Sequence, residues 1–131
     1  MTKIKPFQAV IYNQDKIKDL SKVVCPPYDV ISSKKQDYYH ELDPHNLIHI
    51  ILRKDISGED KYQKAAEYFQ DWLDQGIFVQ EAKPAIYFYS QEYNIKREKK
   101  TRLGFISLLH LGDDKPSGYA HENTRVAPKE D

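Results

Sequence analysis

Cysteine is nearly missing from this chain of 131 residues, which holds one, Cys25. A single thiol cannot close an intramolecular disulfide, so a small secreted scaffold held by bridges is excluded. Glycine is scarce too. The five glycines, at 58, 76, 104, 112 and 118, lie too far apart to form a glycine-rich phosphate loop. No apolar run approaches the ~20 residues of a membrane-spanning helix. The first residues, Met1-Thr2-Lys3-Ile4-Lys5-Pro6-Phe7, lack the apolar stretch of a secretory signal. A cytoplasmic location without membrane association is therefore expected. Neither sign of charge is in excess, because 20 Lys and Arg balance 20 Asp and Glu. That balance removes the electrostatic basis for a dedicated nucleic-acid binder.

What is present is aromatic: ten Tyr, five Phe and one Trp. A chain so rich in large rings collapses rather than stays disordered. At this length it buries roughly two thirds of its unfolded surface, enough for one core without disulfides or metal. No internal repeat, low-complexity tract or linker is visible, so residues 1–131 are expected to form a single domain.

The elements follow from periodicity and breakers. Residues 7–12 alternate as a short strand, and 22–25 are a second extended candidate. Pro26 and Pro27 then stop any ladder or helix. Ser33 with Gln36 fits a capping box for a helix over about 34–42. Residues 47–52 form an apolar, β-branched run that reads as a buried strand. Tyr62, Ala65, Ala66, Phe69, Trp72 and Leu73 recur at steps of three and four, predicting an amphipathic helix over about 60–75. Asp60 stands at its start and Gly76 just beyond its end. Residues 85–93 and 103–111 read as strands joined through the basic stretch Lys96-Arg97-Glu98-Lys99-Lys100, a long 85–111 hairpin. Residues 119–122 are one more short strand candidate. The expected fold is α+β: a mostly antiparallel sheet around the hairpin, with the 60–75 helix packed on one face.

Most of the chemistry-bearing residues have a plain reading. His45 and His49 are four apart, which converges only on a helix. Placed in a strand, they would lie ~13 Å apart, so no metal site is expected. Cys25 shows no activating cation and reads as a structural thiol. The 96–102 cluster reads as a solvated turn whose lysines blunt an edge strand. The Tyr/Phe alternation of 85–93 reads as a strand with one face in the core rather than a base-stacking platform.

Two segments serve neither propensity nor core. In Cys25-Pro26-Pro27-Tyr28-Asp29-Val30-Ile31, two prolines stiffen a turn that holds Tyr28 and Asp29 in fixed directions, a good place for a hydrogen-bonding or acid/base group. His121-Glu122-Asn123-Thr124-Arg125, continuing to Pro128-Lys129-Glu130-Asp131, gathers an imidazole, carboxylates, a hydroxyl and cations able to grip an anion.

With these segments the chain resembles the amino-terminal part of DUF1015, a prokaryotic family of unknown function. Pro6-Phe7-Gln8-Ala9, Tyr12-Asn13, the 23–31 segment, Pro44, Asn46 and Tyr62 with Ala65-Ala66 carry the resemblance through the first half. Trp72-Leu73, Gly76, Pro84-Ala85-Ile86-Tyr87, Gln91, Tyr93, Arg102, Gly104-Phe105 and His121-Glu122-Asn123-Thr124 with Pro128-Lys129-Glu130-Asp131 carry it through the second. Ala127 departs from the glycine usual there.

The resemblance implies a longer protein, of which this chain is an amino-terminal fragment. The remainder includes an Asp-Gly-His-His-Arg segment absent here, similar to one in free-serine kinases of the ParB/sulfiredoxin-like type. Neighbouring serine-biosynthesis genes agree with it. The implied activity is phosphotransfer to a small metabolite, with ATP or ADP and Mg²⁺ acting in the full-length protein and this chain inactive alone. Asp29, Glu122 and His121 would be its catalytic residues. Tyr28, Thr124, Arg125 and Lys129 would bind substrate or phosphate. That reading expects the two special segments to share one site. The alternative is a non-catalytic binding or interaction module whose hairpin and Pro-Pro turn dock onto a partner or onto the missing carboxy-terminal half, with a homo-oligomer as the other contact considered. It expects an exposed apolar patch.

Overall fold

The computed structural model describes residues 3–111. It shows a mixed α+β chain whose strands pair as three two-stranded ladders instead of one continuous sheet. In chain order the elements are β1 (Ile4–Lys5), β2 (Val10–Tyr12), α1 (Ser33–Leu42), α2 (Ile48–Ile51), α3 (Lys61–Asp74), β3 (Phe78–Gln80), β4 (Tyr87–Ile95), β5 (Glu98–Ile106) and β6 (Leu108–Leu109). Single 3₁₀ turns occur at Leu20–Lys22 and Tyr28–Val30. No described helix is long and apolar enough to cross a membrane. The chain divides into two compact units, with the described part of one formed by residues 3–10 and 80–111 and that of the other by Ile11–Val79.

The Ile11–Val79 unit holds the main core. Trp72 of α3 packs edge-on against Phe78 of β3 at 5.2 Å between ring centroids, and Tyr12 of β2 lies 4.8 Å from Phe78. Ile17, Val23 and Ile77 complete the buried cluster, with Leu47, Ile50, Tyr68 and Leu73 packed around it. Rings at such spacings add to plain area burial through their edge-to-face geometry. The sheet surface that α3 covers is therefore that of β2 and β3.

The ends of α3 follow the sequence reading. The Asp60 carboxylate accepts from the backbone N–H groups of Tyr62 at 2.8 Å and Gln63 at 3.2 Å. Gly76 has φ +66°, the left-handed conformation that ends many helices. The Lys16 ammonium donates to the Gln75 carbonyl, a cation at the negative end of the helix. The inward stripe is shifted from the one expected. Tyr62 is 77% exposed on the first turn. Tyr68, one turn before Trp72, faces inward and stacks on His49 at 5.6 Å.

Three local expectations are corrected. The 47–52 run is the helical turn α2, not a strand. Asn46 accepts the Ile48 N–H at 3.0 Å and sets the chain turning. Burial of Ile48 then outweighs the strand preference of its β-branched residues. The 22–25 segment is not a strand either, since a 3₁₀ turn runs through Lys22 and ends at Val23. The cap of α1 is Ser32, whose hydroxyl accepts the Lys35 N–H at 3.4 Å, while Gln36 donates to the Leu52 carbonyl at 2.9 Å.

The second unit is built on the hairpin β4–β5, nine residues a side, with Tyr87 opposite Ile106 and Ile95 opposite Glu98. Lys96 and Arg97 form its two-residue turn, both at positive φ. This mirror-image turn matches the twist of the strands it joins. β1 pairs antiparallel with β6, and Phe7 bridges Ala85. The basic stretch is solvent-exposed, but only Lys96 and Arg97 of it are turn; residues 98–102, expected in the turn, are the first half of β5, and the expected 103–111 strand stops at Ile106. Lys99 pairs with Glu92 at 2.8 Å, Lys100 with Glu98 at 2.7 Å, and Arg102 lies over the Tyr93 ring. The expectation that one face of 85–93 is fully buried does not hold. Tyr87 is half-buried against Phe7, while Phe88 on the opposite face is 84% exposed.

Candidate functional site

The Pro-Pro turn rises from a fixed base. Asn46 is wholly buried, at 0% exposure, and its side-chain amide donates to the carbonyls of Lys22 at 2.7 Å and Val24 at 3.2 Å. The Leu47 N–H reaches the Val23 carbonyl at 2.8 Å. Tyr12 brings its hydroxyl within 2.8 Å of the His45 carbonyl and 3.1 Å of that of Val23. Burial, with the negative charges available at Cys25 and Asp43 adding to it, pushes the Tyr12 phenol well above its ordinary range. Tyr12 is thus a neutral structural donor at any physiological pH. Cys25 follows, half-buried, its thiol pushed up by burial. That is the environment of an inert thiol, not of a nucleophile.

Beyond Cys25 the prolines act as their chemistry requires. Pro27, at φ −54° and ψ 145°, leads an extended approach into the 3₁₀ turn Tyr28–Val30. The Val30 N–H returns to the Pro27 carbonyl at 3.1 Å. Ile31 is buried beyond the turn as Val23 is before it. Between these anchors Tyr28 and Val30 are exposed and Asp29 is half-buried. Among the described residues, no hydrogen bond or ion pair reaches the Asp29 carboxylate or the Tyr28 hydroxyl. A free carboxylate and phenol on a rigid turn suit hydrogen bonding to a ligand hydroxyl or accepting its proton.

His121, Glu122, Thr124, Arg125 and Lys129 lie outside the described residues, as does the 119–122 strand candidate. The structure therefore brings together Tyr28 and Asp29 alone of the singled-out residues. A concavity of about 410 Å³ in the same unit is lined by Gln14, Ile17, Lys18, Asp19, Leu20 and Ser21, with neither Tyr28 nor Asp29 among them. Among the described residues, no group of three or more His, Cys, Asp or Glu is placed to hold a metal ion.

Sequence reasoning missed an aromatic and histidine cluster beside α3. His40 and His49 meet edge-on at 4.5 Å, and His49 stacks on Tyr68. The Arg53 guanidinium lies 5.0 Å above the Tyr68 ring and pairs with Glu59 at 3.1 Å. Burial lowers the pKa of both histidines. Had 47–52 been read as a helix, the facing of His49 toward α3 would have been visible. His45 turns away to the Trp72 ring at 5.7 Å.

No curated protein and no solved structure matches the chain. A family model does: that of DUF1015, described as a protein of unknown function, over residues 4–131. Many residues carrying that likeness have a structural role, among them Tyr12, Asn13, Asn46, Trp72 and Gly76. Spanning almost the whole chain, the match places it in the DUF1015 family.

Proposed function

We propose that this chain is the amino-terminal portion of a longer DUF1015 protein that phosphorylates a small hydroxyl-bearing metabolite, and that it is inactive alone. The observation that carries the reading is the Asp29 carboxylate, half-buried on a proline-stiffened turn and unpartnered among the described residues. Asp29 is the group to accept the hydroxyl proton and Tyr28 the group to orient the hydroxyl. Glu122, His121, Thr124, Arg125 and Lys129 are the proposed partners for the phosphate. Serine is the first substrate to test, because the Asp-Gly-His-His-Arg segment expected in the longer family proteins, and absent from this chain, is similar to one in free-serine kinases.

The experiment is phosphorus NMR on serine with ATP or ADP and Mg²⁺. It is run with this chain and with a full-length family protein carrying the same turn. Turnover by the longer protein, its loss on replacing the aspartate equivalent to Asp29 with Asn, and none by this chain agree with the reading. Full activity of the Asn variant overturns it.

A second reading, an interaction module, is favoured by one observation. Phe88, Leu103 and Phe105 are exposed together on one face of the β4–β5 hairpin.

A further inference from the structure

A two-stranded hairpin turns alternate residues to opposite faces. Tyr89, Gln91 and Tyr93 of β4 therefore share a face with Gly104, Arg102 and Lys100, their partners in register on β5. On this face Tyr89 leans across the ladder. Its phenol end lies over Gly104 so closely that a Cβ there would overlap it. Any side chain at 104 would lift the ring, so the glycine keeps this part of the face low. Arg102 is the next residue on the same face of β5, and its guanidinium lies over the Tyr93 ring, 5.7 Å from the centroid. Stacking on an aromatic ring gives a direction to a side chain that is otherwise free to rotate. Gln91 stands directly opposite Arg102. Gln91, Tyr93 and Arg102, with Glu92, line an open concavity of about 410 Å³.

The hydrogen-bonding capacity gathered there is unused. Among the described residues, no hydrogen bond or ion pair engages the Arg102 guanidinium, the Gln91 carboxamide or the hydroxyls of Tyr89 and Tyr93. The neighbouring carboxylates are held by lysines instead. Glu92 pairs with Lys99 at 2.8 Å and Glu98 with Lys100 at 2.7 Å. Arg102 is left with a positive charge that no described carboxylate balances.

Charge and donor geometry then select the ligand. A guanidinium presents two parallel N–H groups in a fork that matches the two oxygens of a carboxylate. The Gln91 carboxamide opposite it offers a further N–H. Lys96 and Arg97 stand at the turn, about 16 Å along the strand from Gln91. An exposed charge at that distance is screened at physiological salt. One unbalanced cation therefore faces the ligand. It matches the single charge of a carboxylate, whereas a phosphate monoester, with a charge near −2 at neutral pH, would keep part of its charge unpaired. The rings of Tyr89 and Tyr93, 41% and 38% exposed, offer apolar surface to the body of such an acid. We infer that the Gln91–Tyr93–Arg102 face of the hairpin is a binding site for a small organic carboxylate, with Arg102 as its counter-charge and Gln91 as its second donor. The inference is independent of phosphotransfer at the Asp29 turn.

The test is an NMR titration of the isotope-labelled chain with sodium benzoate at constant ionic strength. The Arg102 Nε–H and the Gln91 carboxamide are expected to shift and to saturate, while the buried Asn46 carboxamide stays in place. Arg102→Gln is expected to weaken binding about tenfold or more. Arg102→Lys keeps the charge without the fork and is expected to weaken it as well. Arg97→Gln, at the turn, is expected to bind like the wild type. The same spectra show that each variant is folded. Inorganic phosphate at equal ionic strength is expected to shift these signals less than benzoate. No saturable shift with benzoate, or full affinity in Arg102→Lys, overturns the site. Binding of phosphate as tight as that of benzoate overturns its assignment to a carboxylate.

Discussion

The buried side-chain amide of Asn46 donates to the main-chain carbonyl of Lys22 at 2.7 Å, joining the start of α2 to the segment that leads into the Pro-Pro turn. The same side chain reaches the Val24 carbonyl and accepts the Ile48 N–H. Replacing Asn46 with Leu keeps the approximate volume and strands these backbone groups without partners. Each unsatisfied buried group costs about 1–3 kcal/mol, so Asn46→Leu is expected to destabilise the chain by about 3 kcal/mol or more. Urea unfolding followed by Trp72 fluorescence measures this directly. A loss under about 1 kcal/mol would mean that Asn46 does not hold the base of the turn.

Stability should fall as pH drops below neutrality. Burial is the main reason that His40 and His49 have pKa values below their ordinary 6.5. Arg53 and Lys54 lower His40 further, while the Leu52 carbonyl and Asp37 act the other way. His40 itself and Arg53 lower His49, against Asp43. An unfolded chain takes up these protons at higher pH than the folded one, so stability rises with pH through this window and is lost toward acid. The Asp19 carboxylate, held low mainly by its hydrogen bond from Ser21, adds a loss of the same sign only below the ordinary carboxylate range. Urea midpoints at pH 7.5 and pH 5 are expected to differ in that order, and His49→Phe should reduce the difference. Equal midpoints, or a higher one at pH 5, would contradict the histidine burial.

The hairpin turn offers a gain. Lys96 and Arg97 sit at φ +46° and +71°, where side-chain-bearing residues are disfavoured. Asn-Gly at these positions suits the same turn. The double replacement Lys96→Asn with Arg97→Gly is expected to stabilise the protein by about 1 kcal/mol, read as a higher melting temperature. No gain would argue against the two-residue turn and its register.

Legibility in the sequence followed the range of the interactions. Asp60, Gly76 and the stripe through Trp72 announced α3 because caps and amphipathic spacing are local. Strand β4 and the end of β5 were readable from their Tyr, Phe, Leu and Ile content, while residues 98–102 of β5 were not, because their lysines and arginine read as turn. The hairpin turn was placed only as a basic stretch, because neither Lys96 nor Arg97 is a usual left-handed residue. Residues 47–52 were misread because an apolar run of that length fits a strand or a buried helical turn equally, and the deciding contacts come from Asn46 and α3. The stiffness around Tyr28 and Asp29 was visible in the two prolines. The buried amide beneath them was not, since it joins residues more than twenty positions apart.

The most direct test of the account is a thermal-shift measurement of the wild-type chain and Asp29→Asn with serine, phosphoserine, ATP or ADP, each with Mg²⁺. A ligand held only by the folded state at a hundred times its Kd stabilises by about 2.7 kcal/mol. The account predicts an upward shift of the wild type with serine or phosphoserine that is reduced in Asp29→Asn, while the two chains melt alike without ligand. Cooperative melting with no shift from any of these ligands, or an equal shift in both chains, would contradict the role given to the Asp29 turn.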